Sequence, residues 1–170
     1  MSLLIASTPV LIQLNDLKAW ATDIGNAYLE ANTLEKVVIE AGPEIGDLEG
    51  HMLVIVKALY GLWTSRLHWH ERFAECLHGM GFFPCKAEPD IWMSCVDNIY
   101  EYIVVYVNDL ALALKNPAEI LNTFETKYGF KVKGSGPITF HLGCDFYHDE
   151  HGMLCMEPKK YIKKMVGTYE

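Results

Sequence analysis

The stretch YIVVYVNDLALAL, residues 102–114, constrains this chain more than any other. Its two apolar runs, 102–107 and 110–114, are short and rich in Val, Ile, Leu and Tyr, which reads as two strands. Between them, Asn108-Asp109 reads as the tip of a hairpin. A two-residue loop needs residues that tolerate positive φ, and Asn and Asp are among the few that do. Two explanations fit an amide and a carboxylate at that point. Either the pair is a bare turn, or it presents acidic groups to a metal ion. The hairpin residues alone do not choose between them.

The rest of the chain supplies further strands and a few helices. Strand-like runs are AWATDI, KVVIEA, MLVIV, IWMSCV, FKVKG and ITFHLGCDFY. Asp97-Asn98 is placed to turn IWMSCV into IYEYIVVYV, and DEHG at 149–152 to turn a further hairpin. One helix is expected from Ser65 to Met80, where Trp69, Phe73, Cys76, Leu77 and Met80 recur at three- and four-residue spacing. Ser65 or Thr64 suits its start, and Gly81 its end. A second runs from Pro117 to Tyr128, with Asn116 as N-cap and Gly129 as the stop. A third lies at about 158–168, and the opening apolar stretch suits a fourth. Hairpins with interspersed helices predict an α+β fold: an antiparallel sheet with helices packed on one face.

Length and charge narrow the function. A chain of 170 residues is long enough for one domain with a real core. Its longest apolar runs fall far short of the roughly 20 residues that cross a membrane. The start, MSLLIASTPVLIQL, lacks the basic region of a secretory leader, so an intracellular chain is expected. The five cysteines are odd in number and none has CxxC spacing, which argues against a disulfide framework or a thiolate zinc site. His68 and His70 are two apart and do not share a helical face, so they suggest no metal pair. The net charge of −8 argues against a stand-alone nucleic-acid binder. The charge is uneven, however, with acids concentrated between residues 21 and 50 and Lys159, Lys160, Lys163 and Lys164 near the end.

A second acid invites comparison with Asp109. In WATDIGNAYL, a short strand ends at Asp23 and Ile24-Gly25 follows. Two carboxylates on neighbouring strands, together with substrate phosphates, are the usual oxygen donors for Mg²⁺. Spacing in sequence does not establish that the two strands are neighbours.

The motifs ATDIGNAYLEA, KALYGL, the WHERF helix, PDIWM, YVND, FHLGCDF and KKYIKKM occur in one order. In that order they resemble the reverse transcriptases of copia-type retrotransposons, from about residue 13 to the end. The resemblance implies a polymerase palm of ferredoxin-like type, residues 1–170 forming a single domain with fingers and thumb largely missing. It implies RNA-directed DNA polymerase activity by two-metal nucleotidyl transfer, with two Mg²⁺ ions or Mn²⁺ in their place. Asp23 and Asp109 match catalytic, metal-binding aspartates, with the Ile24 carbonyl as a further ligand. Tyr28 matches the aromatic residue under the incoming sugar, and Gly61 and Thr64 fall in the nucleotide-binding stretch. His141, Leu142 and Gly143 match the hairpin that grips the primer. The implied partners are an RNA or DNA template-primer, dNTPs and the remainder of a polyprotein (fingers, thumb and RNase H). The implied location is the cytoplasm, within a virus-like particle.

The chain departs from the family pattern in ways that matter. Asn108 stands where the family has Asp. An amide carbonyl can coordinate but brings no charge, and removing a unit charge from beside a divalent cation costs several kcal/mol even at an effective dielectric of about 20. Each ~1.4 kcal/mol of lost transition-state stabilisation is tenfold in rate. Trp63-Thr64 and His68 also replace residues that add positive charge in the family. A weak or inactive polymerase is therefore expected. The alternative is a non-catalytic remnant that folds and binds nucleic acid or a protein partner.

Overall fold

In the computed structural model, residues 9, 10 and 12–169 are described. The helix expected in the opening stretch lies mostly outside them, although residues 12–14 are helical. The chain divides into two compact units, one of Met1–Gly25 with Leu77–Glu170 and one of Asn26–Cys76.

The first unit contains strands β1 (Lys18–Ile24), β4 (Phe83–Pro84), β5 (Ile91–Val96), β6 (Ile99–Tyr106), β7 (Asp109–Leu114) and β8 (Val132–Pro137). They form one sheet in the order β4-β5-β6-β7-β1-β8, and every neighbouring pair is antiparallel. Strands β9 (Phe140–His141), β10 (Cys144–His148) and β11 (Leu154–Glu157) form a smaller antiparallel sheet. The second unit contains β2 (Asn32–Glu40) and β3 (Met52–Lys57), an antiparallel hairpin. Helix α1 spans Ser65–Gly79, and the division between units falls within it. Helices α2 (Pro117–Thr126) and α3 (Lys159–Tyr169) belong to the first unit. The α+β reading therefore holds. Among the described residues, no helix is long and apolar enough to cross a membrane.

The alternation in DLALAL decides how the large sheet packs. Side chains along a strand point to opposite faces in turn. Leu110, Leu112 and Leu114 thus share one face and are buried. Val105 and Ile103 of β6 stand opposite Leu110 and Leu112 and are buried with them. Helix α2 packs against β7 and β8, with Leu121 and Phe124 buried. The other face is lined by small residues: Ala111 and Ala113 of β7 stand opposite Ala21 and Ala19 of β1. Towards its far end that face is covered by Ile12, Leu17, Leu154 and Phe146.

The hairpin tip differs from the sequence reading by one residue. Strand β6 ends at Tyr106, Val107-Asn108 form the turn, and Asp109 is the first residue of β7, opposite Tyr106. Val107 adopts φ 58°, a conformation that a β-branched residue takes only under constraint from its surroundings. The β5–β6 turn is the expected one, with Asp97 and Asn98 at φ 51° and 62°, as a type I′ turn requires. ITFHLGCDFY is not one strand. Leu142 and Gly143, at φ 47° and 83°, break it into β9 and β10. At α2, Pro117 occupies the first turn as expected. Asn116 does not cap the helix with its side chain; its Nδ2 donates to Glu119 Oε2 at 3.0 Å.

Glu101 of β6 is a buried carboxylate within an apolar sheet face. Its Oε1 accepts the backbone N–H of Lys115 at 2.7 Å, which fixes the link from β7 to α2. Removing the acceptor strands a buried donor. Glu101→Ala is expected to lower unfolding free energy by about 1–3 kcal/mol in denaturant titration, and Glu101→Gln by distinctly less.

Candidate functional site

The register of β1 on β7 pairs Asp23 directly with Asp109. Residues opposite one another in an antiparallel ladder have Cβ atoms about 5 Å apart on the same face. Both carboxylates therefore stand on the alanine-lined face, at its open end, and both are half-buried. The sequence left the neighbourhood of these strands undecided; the structure makes them adjacent.

Asn108 completes the group. Its side-chain amide donates a hydrogen bond to Asp23 Oδ2. Its backbone carbonyl accepts from Ile24 N–H at 2.9 Å. The tip of the β6–β7 hairpin is thereby tied to the end of β1 at two points. An amide donor neutralises part of the demand that Asp23 would otherwise place on a cation. The remaining oxygens of the pair, with the Ile24 carbonyl nearby in sequence, are a hard-donor set of the kind Mg²⁺ prefers when phosphates supply other ligands. Among the described residues, no cluster of three or more His, Cys, Asp or Glu side chains is assembled here. The donors present fit a cation that arrives with phosphate.

Sequence reasoning missed Lys133. It lies on β8 opposite Asp23, and Thr22 Oγ1 donates to its carbonyl at 3.0 Å. The Lys133 side chain runs across Gly25: a Cβ on that glycine would stand 2.6 Å from its Cε and 3.0 Å from its Nζ. Glycine at 25 thus leaves room for the Lys133 side chain to cross the chain just after Ile24. FKVKG gave no sign of this, because the partner strand is more than a hundred positions away.

His141, Leu142 and Gly143 form the tight β9–β10 turn just described, with Tyr161 of α3 packed against Gly143. His141 is buried, and its Nε2 has no hydrogen-bond partner among the described residues. Burial holds its pKa below the ordinary 6.5, while the negative charge of Asp109 pulls the other way. His141 therefore senses the Asp109 carboxylate electrostatically. The lysines of α3 are partly engaged: Lys160 pairs with Asp145 at 2.7 Å and Lys159 with Glu157 at 3.7 Å.

Tyr28, Gly61 and Thr64 belong to the second unit. The rings of Tyr28 and Tyr60 are 4.5 Å apart and inclined at 58°. Gly61, at φ 97°, allows the turn that follows Tyr60. Thr64 precedes α1, its carbonyl accepting His68 N–H at 3.0 Å. Its hydroxyl is buried with no partner among the described residues. Ser65, rather than Thr64, uses its hydroxyl locally, donating to the Leu59 carbonyl at 2.6 Å.

Residues 7–170 match the family model described as reverse transcriptase (RNA-dependent DNA polymerase). A Ty5-1 transposon protein of Saccharomyces cerevisiae is 23% identical over 152 residues, covering 87% of this chain and 49% of its own length. The chain thus spans about half the length of that curated relative.

Two outcomes follow from this geometry. Asn108→Asp would replace a donor to Asp23 with a like charge. Without divalent metal, the substitution is expected to cost on the order of 2 kcal/mol in stability, with Mn²⁺ or Mg²⁺ restoring much of it. Thermal melts with and without metal measure this, and the parent chain should respond to metal much less. For His141, the unfolded chain takes up a proton near 6.5 that the folded chain resists. The corresponding stability is full above 6.5 and is lost as pH falls through 6.5 towards the depressed folded value. The melting temperature of the parent should fall over that window more than that of His141→Gln.

Proposed function

The chain belongs to the reverse transcriptase (RNA-dependent DNA polymerase) family of copia-type retrotransposons, and from that premise we propose that it is a polymerase palm whose acidic pair is held by an amide and catalyses weakly. The observation that carries the proposal is Asp23 opposite Asp109, with Asn108 donating to Asp23.

The assigned reaction is nucleotidyl transfer, in which a primer hydroxyl attacks the α-phosphate of a dNTP and pyrophosphate departs. Asp23 and Asp109 would hold Mg²⁺, with the Ile24 carbonyl beside them. The ions, when bound, acidify the attacking hydroxyl and offset charge on the leaving pyrophosphate. The protein's own contribution is placement. The two strands hold the carboxylates side by side on a rigid sheet. Asn108 fixes the rotamer of Asp23 by occupying one of its oxygens. Lys133 brings a positive charge to the same end of β1, suited to a phosphate oxygen. The His141–Gly143 turn is assigned to the primer end, and Tyr28, Gly61 and Thr64 to the nucleotide.

Asn108 accounts for the expected weakness. A family aspartate at this position supplies a third negative charge to the metals, whereas the amide spends its donor on Asp23. A second reading keeps the fold and its nucleic-acid partner but not the chemistry. It is favoured by the same contact, since the hydrogen bond satisfies Asp23 without any cation. The template-primer, the rest of a polyprotein and a cytoplasmic particle enter by family membership.

Primer extension separates the two readings. Asn108→Asp is expected to raise incorporation with Mg²⁺ or Mn²⁺ by at least about tenfold, each tenfold corresponding to ~1.4 kcal/mol. Asp23→Asn or Asp109→Asn introduced into that variant should abolish the gain. Equal inactivity of the parent and Asn108→Asp would favour the non-catalytic reading.

A further inference from the structure

The hairpin of β2 and β3 is a two-stranded sheet whose two edges are unlike. Along β2, Glu35, Lys36 and Glu40 bring charge, and the register on β3 shifts between Asn32 and Val37. Charge and irregular pairing keep an edge strand from recruiting another strand. Strand β3 has neither device. Its sequence is MLVIVK, with Lys57 at the very end. Among the described residues, no strand pairs with its outer side.

The ladder decides where the free backbone groups of β3 point. Ala41 N–H donates to the His51 carbonyl at 2.9 Å, next to the paired Glu40 and Met52. Bonded and non-bonded pairs alternate in an antiparallel ladder. Ile39–Leu53 and Val37–Ile55 are therefore bonded pairs, and the backbone N–H and C=O groups of Met52, Val54 and Val56 face outwards. The side chains of the same three residues share one face and are 65%, 56% and 67% exposed. Val38, opposite Val54, extends that face. A lone hairpin is marginal in water, and one with an apolar face gains from further strands.

The strand that fits this edge is β3 itself. With a two-fold axis at Val54, antiparallel pairing sets Val54 opposite Val54, Met52 opposite Val56 and Leu53 opposite Ile55. Each of these opposed pairs is apolar. Each outward N–H meets an outward C=O, because the axis falls on a residue whose backbone faces out. Lys57 falls opposite His51, so no two lysines meet. The acidic turns that join β2 to β3, with Glu44, Asp47 and Glu49, lie at opposite ends of the joined sheet. That arrangement limits repulsion between two chains of net charge −8. Both outer strands of the four-stranded sheet are β2, with its charge and shifted register, so growth stops at two copies.

We propose that two copies of this chain form a closed dimer by antiparallel β3–β3 pairing centred on Val54. The pairing is independent of the acidic pair and of any chemistry there. An edge contact this short is small beside stable interfaces, so the dimer is expected to be reversible.

Sedimentation equilibrium on the whole chain tests it. From about 1 to 200 µM, the mass should rise from 19.3 kDa towards double and no further. Val54→Lys and Val54→Glu each set like charges across the axis and should weaken association at least about tenfold. An equimolar mixture of the two sets Lys against Glu and should regain it. Val54→Thr should behave as the parent, and the circular dichroism of all three variants should match the parent's, because the side chain is exposed. A further variant does not rely on charge. Opposed Cα atoms of a bonded pair are about 5.5 Å apart, within disulfide reach. Mild air oxidation of Val54→Cys in a Cys95→Ser background should therefore give a dimer linked through position 54, and Glu35→Cys in that background should not. A mass that stays at one chain, a dimer indifferent to Val54→Lys, growth beyond two copies, or no linkage through position 54 would each overturn the proposal. Asn108→Asp should leave the association unchanged, so failure here and failure at the acidic pair are separate results.

Discussion

The register of β1 on β7 is the constraint on which the site depends. Because side chains alternate along a strand, sliding β7 by one residue would turn its three leucines out of the core and its alanines into it. Burying a leucine side chain contributes about 1.5–3 kcal/mol. A slip would thus forfeit several kcal/mol, more than any rearrangement at the hairpin tip returns. The pairing of Asp23 with Asp109 is set by apolar packing against α2, at a distance from the carboxylates themselves. Two half-buried acids are held side by side because leucines on the opposite face leave the strands no other alignment.

The tip then has to accommodate what the register imposes. Asp109 is drawn into β7, opposite both Asp23 and Tyr106, so the turn falls on Val107 and Asn108. Val107 at φ 58° is a conformation that costs on the order of 1–3 kcal/mol and persists only when neighbours over-determine it. Those neighbours are visible: Ile24 N–H donates to the Asn108 carbonyl, and the Asn108 amide to Asp23. An aspartate at 108 would keep the first contact and turn the second into repulsion. The amide therefore gives a hairpin that closes without a cation, and the same amide removes a charge the chemistry would use.

This history explains which parts of the molecule were legible in the sequence. Strands β5, β6 and β7 and helices α1 and α2 follow from apolar period, Pro117 and the Asp97-Asn98 turn, all local signals. The tip was misplaced by one residue because local rules favour Asn and Asp at positive φ, and only the partner strand overrides them. The β9–β10 turn was hidden inside an apolar run, with Gly143 its single marker. Strands β4 and β11, FP and LCME, are too short or irregular to show a period, and they exist because neighbours recruit them. The acidic pair was reached by resemblance and its adjacency only by the fold. Lys133 had no local signal at all, since what singles it out is the glycine it crosses on another strand.

Net charge was the least informative quantity. At −8 the chain looks hostile to nucleic acid, yet charges separated by more than a Debye length of about 8–10 Å act nearly independently. What a strand meets is local. The acids between residues 21 and 50 lie largely on the β2–β3 hairpin and the turn joining its strands. Lys159 and Lys160 of α3 spend part of their charge on Glu157 and Asp145. The stretch from 58 to 70 has one arginine and no acid, and it is there that rings stand in water.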